Sequence, residues 1–259
     1  MPPHPSRLSV SECERFRAEG YLGPYRAVSE TEMAAIRTHI EQDLLTRDGP
    51  NPHSRLQSRH MDSPVIAGLA TRPEILDRMA DLYGPDLIMW ATNFFNKEPG
   101  GLEIPWHQDL GYWPLEPLIN ISAWIAIDRV TTENSCVRII PGSHKTVYPM
   151  VDAPDGMAFP RMVDMRDVQT DQAIDMELEP GEFFLFNEKL LHQSNVNRSA
   201  MRRMGMSVRV TLPMVKIEHD EPPLHPGHCA MLVRGRDTMG LNRLMPSPTI
   251  PAKPAEAMS

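Results

Sequence analysis

A histidine and a carboxylate stand two positions apart in the stretch Ile104-Pro105-Trp106-His107-Gln108-Asp109-Leu110-Gly111-Tyr112. On an extended strand, residues i and i+2 point to the same face. One imidazole and one carboxylate on a face, joined by a second imidazole from elsewhere, make the facial set that holds non-haem Fe(II) and leaves positions open. His-x-Asp by itself also arises as a solvated surface pair. What distinguishes this one is a partner downstream: His192, in Leu190-Leu191-His192-Gln193-Ser194-Asn195, follows an apolar strand and precedes Arg198, Arg202, Arg203 and Arg209.

The elements that must position these residues are legible in the periodicity. Ser9 to Glu12 caps a helix that runs to Gly20, and Tyr21 to Tyr25 is a short extended segment. Ser29 to Glu32 caps a second helix, with Met33, Ile36, Ile40 and Leu44 forming a core stripe. Residues 46–58 read as a loop, followed by helices over Pro64–Ala70 and Pro73–Tyr83. The period then changes. Strands are predicted at Leu87–Lys97, through the His107 segment, and at Ile119–Ile127 and Cys136–Ile140. Others follow at Met176–Leu178, Phe183–Phe186 and Arg203–Lys216. Residues 148–173 lack a period and read as a surface insertion or a lid. The region from about Ile217 to the end reads as irregular, with His219, His225 and His228 as loop residues rather than a metal cluster. Helices at the front and strands in the middle imply an α+β fold with a β core.

If the segment from Arg203 is a strand, Arg203 and Arg209 share a face and Arg202 takes the other. Periodicity does not choose between Arg203 and Arg209.

Composition narrows the function classes. The chain has 259 residues, 41% of them hydrophobic, enough for one large domain with a buried core over 1–259. A net charge of -8 offers no basic footprint, so neither nucleic acid nor an anionic membrane is expected as a partner. Cys13, Cys136 and Cys229 are scattered and odd in number, which supports neither a zinc knuckle nor a disulfide framework. No apolar run is long enough to span a bilayer, and the first seven residues lack a signal-peptide core, so a cytoplasmic protein is expected.

With both histidines in view, the chain resembles the phytanoyl-CoA dioxygenase family of Fe(II)/2-oxoglutarate oxygenases, near the branch of chlorinating enzymes and their hydroxylating relatives. The resemblance rests on Asn93-Phe94-Phe95-Asn96-Lys97, Pro105-Trp106-His107-Gln108-Asp109 and Pro141-Gly142-Ser143-His144-Lys145. It continues through Pro180-Gly181-Glu182 to His192-Gln193-Ser194, with Arg203 eleven positions on, and covers about Phe16 to Pro213.

The resemblance implies a double-stranded β-helix, a jelly-roll relative of the cupins, with the N-terminal helices packed on it. It implies Fe(II) on His107, Asp109 and His192, with 2-oxoglutarate and O2 as cosubstrates. The family spacing selects Arg203 for the distal carboxylate of 2-oxoglutarate, with Ser194 as a hydroxyl donor and Met89 and Trp124 against the cosubstrate. Halogenases of this branch replace the metal carboxylate with Ala or Gly; this chain keeps Asp109, so hydroxylation of an unactivated C–H, with release of succinate and CO2, is the expected chemistry. Desaturation or cyclisation by the same oxidant is an alternative outcome.

The substrate is expected to be a small polar or amino-acid-like metabolite, or a natural-product intermediate. Phe95, Trp106, Tyr112 and Trp113 are candidates for an apolar wall, and Arg59, His60 and Arg138 for an anion contact. Two other classes stay open: a non-catalytic cupin-like binding protein, and a metal-dependent enzyme that uses no 2-oxoglutarate. The oligomeric state is expected to be monomer or homodimer.

Overall fold

The structure is a computed structural model that describes residues 6–111 and 113–249. Helix α1 (Val10–Glu19) opens on a reciprocal cap: the Ser9 side chain accepts from the Glu12 N–H, and the Glu12 carboxylate reaches back to the Ser9 N–H. Gly20, at φ 83°, ends the helix in the left-handed region, where a side chain would be strained. Strand β1 (Tyr21–Arg26) follows, then α2 (Glu30–Gln42), which buries Met33, Ile36 and Ile40. α3 (Pro64–Ala70) and α4 (Pro73–Tyr83) each begin on a proline, and both have the bounds predicted from sequence.

The remaining strands are β2 (Leu87–Lys97), β3 (Ile104–His107), β4 (Leu115–Glu116), β5 (Ile121–Ala126), β6 (Val137–Ile139), β7 (Met150–Asp152) and β8 (Arg161–Val163). They continue with β9 (Ile174–Met176), β10 (Glu182–Asn187), β11 (His192–Ser194), β12 (Arg203–Thr211), β13 (Lys216–Ile217) and β14 (Met231–Arg234). A six-stranded sheet has the order β1-β10-β5-β12-β2-β14 and a four-stranded sheet the order β3-β11-β6-β9. The fold is α+β with a jelly-roll core.

The helices cover one face of the larger sheet, where Met33, Ile40, Ile66 and Met79 meet Leu185, Met206 and Val208. Its other face packs Trp124, Phe184 and Phe186 against Val137 and Ile139 of the smaller sheet. With both faces covered, every residue of β5 and β12 is buried and no polar/apolar alternation remains. The alternation of sides persists. Met204, Met206, Val208 and Val210 face the helices, while Arg203, Ser207 and Arg209 face a cavity between the sheets. Truncating Ile40, which is fully buried beneath α2, to Ala would cost roughly 2–5 kcal/mol.

Three sequence expectations are corrected. The last long strand stops at Thr211, because a turn at Val215–Leu212 breaks it, and Lys216 pairs instead with Glu116. The region beyond Ile217 is not wholly irregular: β14 pairs with β2 and extends the larger sheet by one strand. Residues 148–173 contain an antiparallel hairpin, β7–β8, rather than aperiodic chain. The last ten residues, like Tyr112, lie outside the described residues. Cys13, Cys136 and Cys229 are free thiols.

Candidate active site

The two sheets enclose a cavity of about 540 Å³. His107 ends β3 and His192 begins β11; the two strands are antiparallel neighbours with these residues directly in register. Each ring is locked the same way. His107 Nδ1 donates to Pro105 O at 2.8 Å and His192 Nδ1 to Leu190 O at 2.9 Å, which leaves Nε2 as the lone-pair atom of each. The start of β11 is itself pinned by Ser143, whose hydroxyl accepts the Leu191 N–H at 2.9 Å.

Asp109 arrives by a route that sequence reasoning misjudged. The strand stops at His107, and Asp109 opens a 3-10 turn, held by its N–H donating to Glu188 O at 3.0 Å. Its two oxygens nevertheless lie 3.8 Å from His107 Nε2 and 3.9 Å from His192 Nε2. Atoms bound to one ion at about 2.1 Å must lie closer together than about 4.2 Å, so these spacings admit a single ion between them. Among the described residues this is the one His/Cys/Asp/Glu group with convergent ligand atoms. Burial, with His192 close by, holds the His107 imidazole well below its ordinary range, so it is neutral and ready to ligate. Burial also raises the Asp109 carboxyl, a cost that a divalent cation would reverse.

Arg203 reaches the same cavity from β12 and is 1% exposed. Burial pulls its guanidinium down to about 10. It lies 5.4 Å from the centroid of the Trp124 ring, and its Nε and Nη2 have no hydrogen-bond partner. Gly205 permits this approach, since a Cβ there would overlap the Trp124 ring. Lys97 Nζ donates to Ser194 Oγ at 2.8 Å and to Asn195 O at 2.7 Å, and burial together with Arg203 brings it down to about 7. A buried, donor-rich guanidinium beside a hydroxyl and an indole fits a carboxylate of a small diacid.

Of the other described residues singled out in the sequence, Phe95 and Trp113 line the cavity and five do not. Met89 sits in the core beneath the helices: an irregularity in the β12–β2 register between Arg209 and Val210 inserts Trp90, so the parity that brings Asn93 and Phe95 inward turns Met89 outward. Arg59 is neither solvated nor in the cavity. It is fully buried in a bidentate pair with Asp62 (3.0 and 2.9 Å) and donates to Leu44 O. His60 is fully buried too, its Nδ1 within 3.0 Å of the hydroxyl of Thr92, the strand neighbour of Asn93 and therefore on the opposite face. Arg138 likewise alternates with cavity-lining Val137 and pairs across β6–β9 with Asp175 at 2.8 Å. Trp106 packs with Ile140, Val163 and Leu191.

Sequence reasoning also missed residues that do line the site. Phe159, from the β7–β8 hairpin, sets its ring edge on His107 with centroids 5.0 Å apart, and nothing in its aperiodic stretch signals this. Arg209 is buried in the cavity, and its even spacing from Arg203 was the available signal. The histidines of the C-terminal segment are buried rather than solvated. Arg243 N–H donates to His219 Nε2 at 3.1 Å, His219 Nδ1 lies 2.9 Å from His228 Nδ1, and His228 Nε2 lies 2.7 Å from Trp90 O. These bonds fasten the segment to β2.

The sequence pattern of the phytanoyl-CoA dioxygenase (PhyH) family matches residues 7–205. The chain belongs to that family. A probable phytanoyl-CoA dioxygenase of Caenorhabditis elegans is 32% identical over 174 residues, 62% of this chain and 55% of that protein. The peroxisomal phytanoyl-CoA dioxygenase of Bos taurus is 26% identical, with 61% of its length matched, so this PhyH-family chain spans under two thirds of these relatives. Dioxygenase lolE1 of Epichloe uncinata is 30% identical over 79% of this chain and 82% of its own. Among solved structures, CytC3 with Fe(II) and alpha-ketoglutarate superposes with a TM-score of 0.73 at 26% identity, covering 92% of this chain and 93% of CytC3. The non-heme monooxygenase ThoJ shares the fold, with a TM-score of 0.76 at 24% identity over 91% and 87% of the two chains. Among the described residues no helix is long and apolar enough to cross a membrane.

Proposed function

We propose that this PhyH-family chain is an Fe(II)- and 2-oxoglutarate-dependent dioxygenase. It hydroxylates an unactivated C–H of a small polar or amino-acid-like metabolite, or of a natural-product intermediate. One observation carries the reading: the convergent His107, Asp109 and His192 share a cavity with Arg203, a buried guanidinium with two unpartnered nitrogens. The CytC3 structure contains Fe(II) and alpha-ketoglutarate, and a relative 28% identical is an ectoine dioxygenase of Sphingopyxis alaskensis, which agree with that chemistry.

His107, Asp109 and His192 would hold the metal, and Arg203, with Ser194 and Trp124, the cosubstrate. Fe(II) with 2-oxoglutarate and O2 supplies the oxidising power for C–H cleavage, with release of succinate and CO2. The protein's part is placement and exclusion of water. Backbone carbonyls fix both imidazoles, so neither ring must reorient to ligate. Lys97 holds the Ser194 hydroxyl in place through its Nζ. Phe159, Phe186 and Trp113 wall the cavity with apolar surface. Asp109 keeps a carboxylate among the ligands, which favours oxygenation over halogenation.

The test is succinate formation from 2-oxoglutarate under Fe(II) and air, with and without a library of small metabolites, with products identified by mass spectrometry. Substrate-stimulated succinate with a product heavier by one oxygen is expected. Oxygen uptake without 2-oxoglutarate consumption would move the chain to another class of metal oxygenase, and metal binding with neither would make it a binding protein.

A further inference from the structure

Arg209 stands on the same face of β12 as Arg203, six residues along, which separates their Cα atoms by roughly 20 Å. Its side chain is buried, with the residue 8% exposed, and it lines the cavity. The two arginines have separate surroundings. Arg203 lies against Trp124 and the Phe95 carbonyl. Arg209 lies against the edge-to-face pair of Trp90 and Trp113, 5.7 and 4.7 Å from their ring centroids. The Asn93 amide, turned so that both its ends are satisfied, accepts from Arg209 Nη1 at 2.9 Å. The Arg209 Nε has no partner. Asp109 is the carboxylate whose charge acts on it, through space.

A guanidinium taken out of water without a carboxylate against it is costly, and the two indoles offset only part of that cost. The cost is recovered when an anion docks. Arg203 and Arg209 rest on different indoles, so the carboxylate gripped by Arg203 does not also neutralise Arg209, and Asp109 belongs to the metal set. We infer that Arg209 is the anchor for a carboxylate carried by the prime substrate, whose apolar body lies along Trp113 toward the metal ligands. The planar fork matches a carboxylate bidentately, and the neighbouring Ser207 hydroxyl, also without a partner, offers a further donor. This rests on the reading of the cavity as an oxygenase site with Arg203 reserved for 2-oxoglutarate. It assigns the substrate to the carboxylic acids.

The test uses the full chain loaded with Ni(II) and saturated with 2-oxoglutarate, titrated with matched acids and amides: hexanoate and hexanamide, phenylacetate and phenylacetamide, N-acetyl-L-leucine and its amide. Calorimetry and quenching of tryptophan fluorescence report binding. At least one acid should bind roughly 10- to 100-fold more tightly than its amide. Arg209→Gln should abolish that preference, and Arg209→Lys, which keeps the charge and fills the space, should keep the fold and lose most of it. The affinity for 2-oxoglutarate should stay within about twofold in both variants, whose lost interaction is with the prime substrate. Equal binding of every acid and its amide, or a preference that survives Arg209→Gln, overturns the inference. So does an Arg209→Lys protein that loses metal or 2-oxoglutarate instead, which would make Arg209 a counter-ion to Asp109. If 2-oxoglutarate itself fails to bind, the oxygenase reading fails, and the acid–amide comparison repeated without it still decides on Arg209.

Discussion

His107 and His192 face each other across an antiparallel strand pair, in register, with ring centroids 4.1 Å apart. Two residues 85 positions apart in sequence thus become the closest of neighbours through one pairing of short strands. Losing either imidazole should reduce metal affinity by at least about 100-fold, more than loss of a supporting contact would. The check is bound Fe or Ni after dialysis of His107→Ala and His192→Ala, with circular dichroism to show an intact fold. Near-normal metal content in either variant would remove that residue from the set.

Arg203→Ala should raise the 2-oxoglutarate requirement by at least about thirtyfold, since a buried charge-assisted contact is worth roughly 2–5 kcal/mol. Arg202→Ala should leave it unchanged, because Arg202 points away from the cavity and pairs with Asp128 and Glu41. A titration of succinate formation against 2-oxoglutarate measures both. Sensitivity at Arg202 instead would mean that the strand faces are assigned the wrong way round.

Gly205→Ala places a methyl into the Trp124 ring and should displace the indole that backs Arg203. Overpacking of this kind costs roughly 1–3 kcal/mol in stability. The same variant should weaken 2-oxoglutarate binding while leaving metal content unaffected. Calorimetric titration of 2-oxoglutarate into the metal-loaded variant is the relevant measurement.

Stability should fall on the acid side of neutrality. Burial brings His228 down to about 4 and His60 to about 3, both below the 6.5 of an unfolded histidine. As pH drops below 6.5 the unfolded chain takes up these protons first, so the folded state loses stability down to about pH 4 for His228, and on to about pH 3 for His60. His228 alone accounts for about 3 kcal/mol of that loss. Urea melts at pH 7.5, 6 and 5 follow it directly, and a His228→Asn protein should show a flatter profile.

Reactions of the unmutated protein in excess chloride should give oxygenated and not chlorinated product, because Asp109 would fill a metal position with a negative charge. Asp109→Gly should lose hydroxylation and give at most a trace of chlorination. Mass spectrometry separates the outcomes, and a chlorinated main product from the unmutated chain would contradict the role given to Asp109.

Much of this was legible in the sequence because it is local or periodic. The helix bounds at Pro64–Ala70 and Pro73–Tyr83 follow from prolines at their starts, and β2 spans Leu87–Lys97 as its run of strand formers implies. The metal set was legible from residue types and spacing, and the two-residue period of β12 separated Arg202 from Arg203. Tertiary structure decided the rest. Parity holds only while the register is unbroken, so the irregularity at Trp90 sent Met89 out of the cavity, and no sequence period announces it. A charged side chain reads as solvent-facing until its partner is known. Arg59 found Asp62 and Arg138 found Asp175, and only the fold shows that Arg209 has no such carboxylate against it and faces the cavity beside a pair of indoles. A sequence fixes which residues can do chemistry and how neighbours along a strand are disposed, whereas which charges meet depends on contacts between distant segments, and those exist only once the sheets have closed.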